Sequence, residues 1–153
     1  MSGVRGGLRG AGAAAAIGAW ALAAAALAAD GSPVAARQAA MKQMGFALRD
    51  ARPYADGQKP YDAAKVKALL QVVVSNGEKL QALFPPGSGE DPKSSADPKI
   101  WQDKKGFEHR LAELSAKAAH AQGADGPEGL KAQYMAIGHD CQACHDVYRR
   151  KKS

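Results

Sequence analysis

The sequence is short of the groups that most enzymes and many metal centres require. It contains two cysteines in 153 residues, which excludes a zinc site of four thiolates and a framework of several disulfides. No nucleophile stands in a pattern with a base, and no glycine-rich loop is suited to cradle a phosphate. These absences leave no basis for a hydrolase or a transferase, so we expect a protein that is not an enzyme.

Strand patterns and a strong excess of charge are also missing. The valine run at residues 72–74 alone is typical of a strand, and the helix-forming residues on both sides of it favour a helix. The formal net charge of +6 is too small to predict nucleic-acid binding, but it is compatible with an acidic redox partner. The basic run at residues 149–152 contributes much of this charge and is typical of a solvated helix end.

The N-terminal segment has the pattern of an export signal. Arg5 and Arg9 are basic with no acidic residue nearby, and an alanine-rich apolar run follows at residues 11–29. The small-x-small pattern at residues 26–28 is typical of a cleavage site. The run is nearly long enough to span a bilayer, but its alanine content and the cleavage site favour removal over a stable membrane anchor. We therefore predict a signal peptide at residues 1–28 and a location in a bacterial periplasm.

The most specific chemistry of the sequence is the pentapeptide Cys141-Gln142-Ala143-Cys144-His145. Two thiols at this spacing can form thioether bonds to one haem, and the adjacent imidazole can bind its iron. On a helix, the two thiols and the imidazole fall within about a 100° arc. A thioredoxin-like dithiol would need a preceding strand, and a disulfide across one helical turn would constrain very little. The motif therefore predicts one covalently bound haem c.

The mature chain has the periodicity of four amphipathic helices. They are predicted at about 33–54, from a cap at Asp62 to about 83, from Asp97-Pro98 to about 123, and from residues 125–127 through the haem motif. A loop rich in proline, glycine and serine at residues 85–98 separates the second helix from the third. The predicted fold is all-α: an antiparallel four-helix bundle with haem c held on the last helix. It forms a single domain at residues 29–153.

A helical bundle with C-x-x-C-H on its last helix resembles the cytochrome c′ family, the class II c-type cytochromes. Four segments carry the resemblance in the same order along nearly the whole mature chain: residues 37–42, 83–88, 98–101 and 141–149. The segments around residues 84 and 100–101 are most similar to those of the low-spin c-556 type.

The resemblance implies a role for each matching residue. Cys141 and Cys144 would hold the haem, and His145 would be the proximal ligand of the iron. Arg37 would form hydrogen bonds to a haem propionate, as a guanidinium can with a carboxylate. Arg149 would influence access to the proximal side of the haem.

The residue expected on the distal side of the iron is Met41. In low-spin relatives a methionine here is the sixth ligand, whereas in high-spin cytochromes c′ the side chain covers the iron without binding it. Met44, one turn further, is the less favoured ligand, and Phe84 is expected to be an aromatic residue of the haem pocket. Ligation by Met41 would indicate an electron carrier that serves an unnamed redox partner protein. The alternative is a five-coordinate iron that binds nitric oxide or carbon monoxide. The resemblance also implies a possible homodimer through the first two helices.

Overall fold

The computed structural model describes residues 31–151, and these fold into an all-α domain. Its helices are α1 (Pro33–Ala55), α2 (Ala63–Gln81), α3 (Lys99–Gln102), α4 (Lys104–Ala121) and α5 (Pro127–Tyr148). The four long helices form the predicted four-helix bundle. None of the helices described is both long enough and apolar enough to cross a bilayer. The predicted signal peptide lies outside the described residues.

The long helices begin at residues whose side chains or rings suit a helix start. Asp62 caps α2 as predicted, because its Oδ1 accepts a hydrogen bond from the backbone N–H of Lys65 at 2.9 Å. The Oγ of Ser32 caps α1 in the same way. Pro33 and Pro127 occupy the first turns of α1 and α5, where a missing N–H removes no helical hydrogen bond.

The third predicted helix is in fact two helices, and the prediction of one continuous helix was wrong. The short α3 begins one residue later than predicted, with Pro98 at its N-cap, and Oδ1 of Asp97 accepts a hydrogen bond from the backbone N–H of Lys99 at 2.9 Å. Asp103 has φ −123° and ψ 56° and separates α3 from α4. Its Oδ1 accepts a hydrogen bond from the backbone N–H of Gly106 at 3.2 Å and so caps α4. A Cβ at position 106 would overlap the Asp103 carboxylate, and glycine therefore permits this cap.

The core is most complete where α2 packs against its neighbours. Val66, Leu70 and Val73 of α2 are fully buried, and Leu111 of α4 is 2% exposed. The valine run at residues 72–74 lies inside α2, as the helix prediction required. Helix α2 packs on α1 and α4, and α4 packs on α5, whereas the contact between α1 and α5 is the least extensive of these. The side of the bundle between α1 and α5 is thus the place where it can open.

The loop predicted at residues 85–98 lies between α2 and α3, and its part at residues 85–97 is held against the end of α5. The backbone N–H of Asp97 donates to the carbonyl of Tyr148 at 3.0 Å, and the N–H of Arg150 donates to the carbonyl of Ser95 at 2.9 Å. Ala96 and Arg149 form an isolated antiparallel bridge between these two hydrogen bonds. We refer to residues 85–97 as the 85–97 loop.

Candidate haem site

A cavity of about 240 Å³ lies between α1, α5 and the 85–97 loop. Most of the residues predicted from the sequence to bind a haem line this cavity. They are Arg37, Met41, Phe84, Cys144, His145 and Arg149. The remaining predicted residue, Cys141, is half-buried one helical turn before Cys144 and packs against the hydrophobic core rather than forming part of the wall.

No disulfide joins the two cysteines, and both pack against apolar residues. Burial raises the pKa of Cys141, and the neighbouring Cys144 raises it further. Burial also raises the pKa of Cys144, although Arg110 partly opposes this effect. Catalytic dithiols have a lowered thiol pKa, so the site is built in the opposite way from a thiol–disulfide exchange centre.

The imidazole of His145 is half-buried at the wall of the cavity. Burial lowers its pKa, Arg149 lowers it further, and Asp146 opposes them. The environment therefore favours the neutral imidazole, which is the form that binds a metal ion.

Helix α1 presents one methionine to the cavity. Met41 lines the wall and is half-buried, whereas Met44 is 6% exposed and belongs to the hydrophobic core. A thioether is a soft ligand that suits haem iron. The structure thus separates the two methionines that the sequence placed on one face of the helix.

Arg37 is a buried cation in the cavity wall, 5% exposed. Its Nη2 donates to the carbonyl of Ser88 at 2.7 Å, its Nη1 contacts the Ser88 hydroxyl at 3.4 Å, and its guanidinium lies 4.6 Å from the centre of the Phe84 ring. Burial lowers the pKa of Arg37, and Asp91 partly opposes this. Within residues 31–151, no carboxylate forms an ion pair with this guanidinium. A charge buried among neutral partners is costly, so a carboxylate brought into the cavity would find a suitable partner here.

Two aromatic residues that the sequence analysis did not assign to the site, Phe107 and Tyr148, also line the cavity. Phe107 contacts Phe84 edge to face at 4.6 Å between ring centres, and Tyr148 contacts Phe107 at 5.3 Å. The Oη of Tyr148 donates to Oδ2 of Asp103 at 2.7 Å. Tyr148 could have been identified from its position three residues after His145, on the same helix face. Phe107 carries no comparable signal.

Arg149 lies between this cavity and a second cleft of about 510 Å³. The second cleft is also lined by Ser95, His145 and the basic residues Arg150 and Lys151. Arg149 and His145 thus line the same two cavities, and an influence of Arg149 on access stays a prediction.

The residues around the cavity suit a covalently held haem. Two thiols and an imidazole come from α5, a thioether comes from α1, and a buried guanidinium is available for a carboxylate. The aromatic wall provides the apolar surface that a macrocycle requires. This donor set is chemically different from the oxygen-rich sites that bind magnesium or calcium.

Comparisons with known proteins agree with this chemistry. The sequence matches the family described as Cytochrome C' over residues 32–149. It is 39% identical to a cytochrome c′ of Rhodopseudomonas palustris over 121 residues, which cover 78% of this chain and 83% of the relative. It is 38% identical to a cytochrome c-556 of Agrobacterium tumefaciens over 119 residues, which cover 76% of this chain and 95% of the relative.

The fold is similar to solved structures of the same kind. The structure of cytochrome c′ from Rhodopseudomonas palustris superposes with a TM-score of 0.74 at 37% identity, covering 81% of this chain and all of that one. The two cysteines, the bundle and these relatives together indicate one covalent haem c. The chain therefore belongs to the cytochrome c′ family of c-type haem proteins.

Proposed function

We propose that this protein is a periplasmic electron carrier whose haem iron is bound by His145 and Met41. The observation that carries the proposal is that these two side chains line one cavity from different helices, whereas Met44 is buried in the core. Haem iron supplies one-electron oxidation and reduction, and a histidine–methionine ligand pair raises its reduction potential. Such ligation suits electron transfer better than binding of an external ligand.

The other residues around the cavity hold and shield the group. Cys141 and Cys144 would hold it through thioether bonds, next to His145 on the same helix. Arg37 neutralises a propionate at the edge of the cavity, and its buried guanidinium supports this role. The Phe84 ring beneath Arg37 helps to exclude water, and Arg149 limits access beside His145.

The proposal includes the location and the mature form of the protein. Residues 1–28 are removed on export and residues 29–153 form the mature domain, because the N-terminal pattern is that of a signal peptide and haem c is attached outside the cytoplasm. A homodimer through α1 and α2 would cover Phe46, which is 46% exposed on α1. Sedimentation of the mature protein would measure its oligomeric state.

The ligand assignment is tested by the absorption spectra of the purified protein and of two matched variants. We expect the wild type to have low-spin bands and a methionine–iron charge-transfer band. Met41→Leu should remove that band and produce a high-spin spectrum, since leucine has no donor atom. Met44→Leu, a similar change one turn away, should leave the spectrum unchanged. A high-spin wild type, or loss of ligation in Met44→Leu, would contradict the assignment.

A second candidate function is the binding of nitric oxide or carbon monoxide by five-coordinate iron. The chain is as similar to a cytochrome c′ as to a cytochrome c-556, with identities of 39% and 38%, so this function is as compatible with the relatives as the first. Met41 would then cover the iron without binding it. A high-spin wild type that binds carbon monoxide rapidly, and more rapidly in Met41→Ala, would support this function instead.

A further inference from the structure

Two arginines from different parts of the fold hold two successive peptide carbonyls of the 85–97 loop. Arg37 of α1 donates from Nη2 to the carbonyl of Ser88 at 2.7 Å. Arg150, just beyond α5, donates from its guanidinium to the carbonyl of Gly89 at 3.1 Å. The same short piece of backbone is thus tied to α1 and to the chain that follows α5.

The loop is internally braced at the point where the arginines hold it. The carbonyl of Pro85 accepts hydrogen bonds from the Ser88 hydroxyl at 2.7 Å and from the indole N–H of Trp101 at 3.1 Å. Gly87 has φ +79°, which glycine adopts without strain. A Cβ on Gly89 would lie 2.5 Å from the Trp101 ring, so this backbone lies directly on the indole. The turn at residues 85–89 is therefore rigid, and a hydrogen bond to the carbonyl of Ser88 or Gly89 restrains the whole turn.

The far end of the loop forms part of the cavity wall. Residues 94–96 line the cavity, and Ser95 also lines the second cleft beside His145. The backbone N–H of Arg150 holds the Ser95 carbonyl at 2.9 Å. Arg150 thus contacts the loop twice, through its side chain at Gly89 and through its backbone at Ser95. These contacts lie on the side of the bundle where α1 and α5 touch least.

We propose that Arg150 is a positioning residue that, together with Arg37, clamps the 85–97 loop across the gap between α1 and α5 and so restricts entry of small ligands to the haem cavity. The inference rests on the proposed haem site. Its physical basis is that a hydrogen bond from a charged donor to a carbonyl is stronger than one between neutral groups. Losing it therefore raises the population of conformations in which the loop is open.

The test compares Arg150→Ala with Lys151→Ala in the holoprotein. Both substitutions remove one positive charge from the same segment, but Arg150 is the one that donates to Gly89. Hydrogen–deuterium exchange followed by mass spectrometry would be measured on peptides that cover residues 85–97. We expect exchange at least about tenfold faster in Arg150→Ala, and exchange like that of the wild type in Lys151→Ala.

A second readout links the loop to the iron. The rate of carbon monoxide binding is measured on the reduced protein in the Met41→Leu background, where no methionine competes for the iron and entry can limit the rate. In that background the rate should rise in Arg150→Ala and stay unchanged in Lys151→Ala. Gly89→Ala, which displaces the loop from Trp101 without a change of charge, should act in the same direction as Arg150→Ala on both readouts.

Two results would overturn the proposal. Equal exchange of the loop in Arg150→Ala and Lys151→Ala would show that the guanidinium does not hold it. Faster exchange with an unchanged carbon monoxide rate would show that the loop does not restrict entry. Neither exchange measurement depends on the sixth ligand, so failure of Met41 ligation, seen in the spectrum, is distinguishable from failure of the clamp.

Discussion

The two sides of the bundle differ in how completely the polypeptide fills them. On the side where α2 meets α4, Leu70 and Leu111 are at most 2% exposed, and a Cβ at Gly77 would overlap Ser115, so the helices lie very close together. On the side where α1 faces α5, Met41 and Cys144 are half-buried around a cavity. On the first side the helices pack directly against each other, whereas on the second side the proposed haem would fill the space between them.

This difference predicts how the two sides of the bundle contribute to the free energy of unfolding. The packing of α2 with α4 relies on contacts within the chain and should persist without haem. The α1–α5 side would depend on apolar surface that the haem provides. Because a thioether-bound haem stays on the unfolded chain, its stabilising effect comes from the apolar surface that folding buries against it. Three measurements, ordered from the largest expected effect to the smallest, test this division.

The largest effect is expected when the attachment is removed. Cys141→Ala and Cys144→Ala should each sharply reduce the yield of holoprotein, because one thioether bond is lost in either variant. Denaturing electrophoresis with haem staining, after extraction with acidified acetone, measures the covalently bound fraction. In the double variant, hydrogen exchange should be faster in α1 and α5 than in α2. Uniform, native-like protection of all four long helices would contradict the division into two sides.

A smaller effect on stability is expected when a cavity is created on the side where α2 packs on α4. Leu70→Ala should lower the free energy of unfolding of the holoprotein by about 2–5 kcal/mol, because a fully buried leucine leaves a void. Leu48→Ala on α1 is the matched control, and it should cost less because Leu48 is only partly buried. Urea unfolding followed by circular dichroism measures both. Equal losses of unfolding free energy in Leu70→Ala and Leu48→Ala would contradict the difference in packing between the two sides.

The smallest effect concerns the hydrogen bond from Tyr148 to Asp103, which joins α5 to the α3–α4 break. This bond, together with the N–H of Gly106, holds the pKa of Asp103 below its ordinary value of 3.8. The contribution of this hydrogen bond to the free energy of unfolding is therefore present at pH values above 3.8. It is lost as the pH falls through the lower pKa that Asp103 has in the folded state. The stability difference between wild type and Tyr148→Phe should accordingly shrink in acid. Urea unfolding from about pH 6 to about pH 2 measures this difference in unfolding free energy. A difference that does not change with pH would contradict a contribution from the ionised Asp103 carboxylate.

The local sequence pattern predicted the parts that depend on near neighbours. Helix periodicity located the four long helices, the Asp62 cap was correct, and the haem motif on α5 faces the cavity through Cys144 and His145. The helix break at Asp103 was missed although its cap on Gly106 is local, because the apolar periodicity continues across it; the second partner of its carboxylate, Tyr148, is 45 residues away. A partner at that distance leaves no periodic signal.

The same reason explains what the sequence did not reveal about the arginines. Arg37 was expected at a propionate, but its contact with the Ser88 carbonyl depends on where the 85–97 loop lies in space. Arg150 was part of a basic run and had no distinguishing neighbour in the sequence. Both contacts are to backbone carbonyls, which every residue carries, so no residue type at position 88 or 89 predicts them.

The attachment of the 85–97 loop to residues 148–150 also has a consequence for the order in which haem attachment and folding occur. The groups that hold the loop closed, at Tyr148 and Arg150, follow Cys144 and His145 in the sequence. Because the proposed haem attachment takes place after export, the two thiols must be reached while these C-terminal contacts are not yet formed. Attachment should therefore precede closure of the loop.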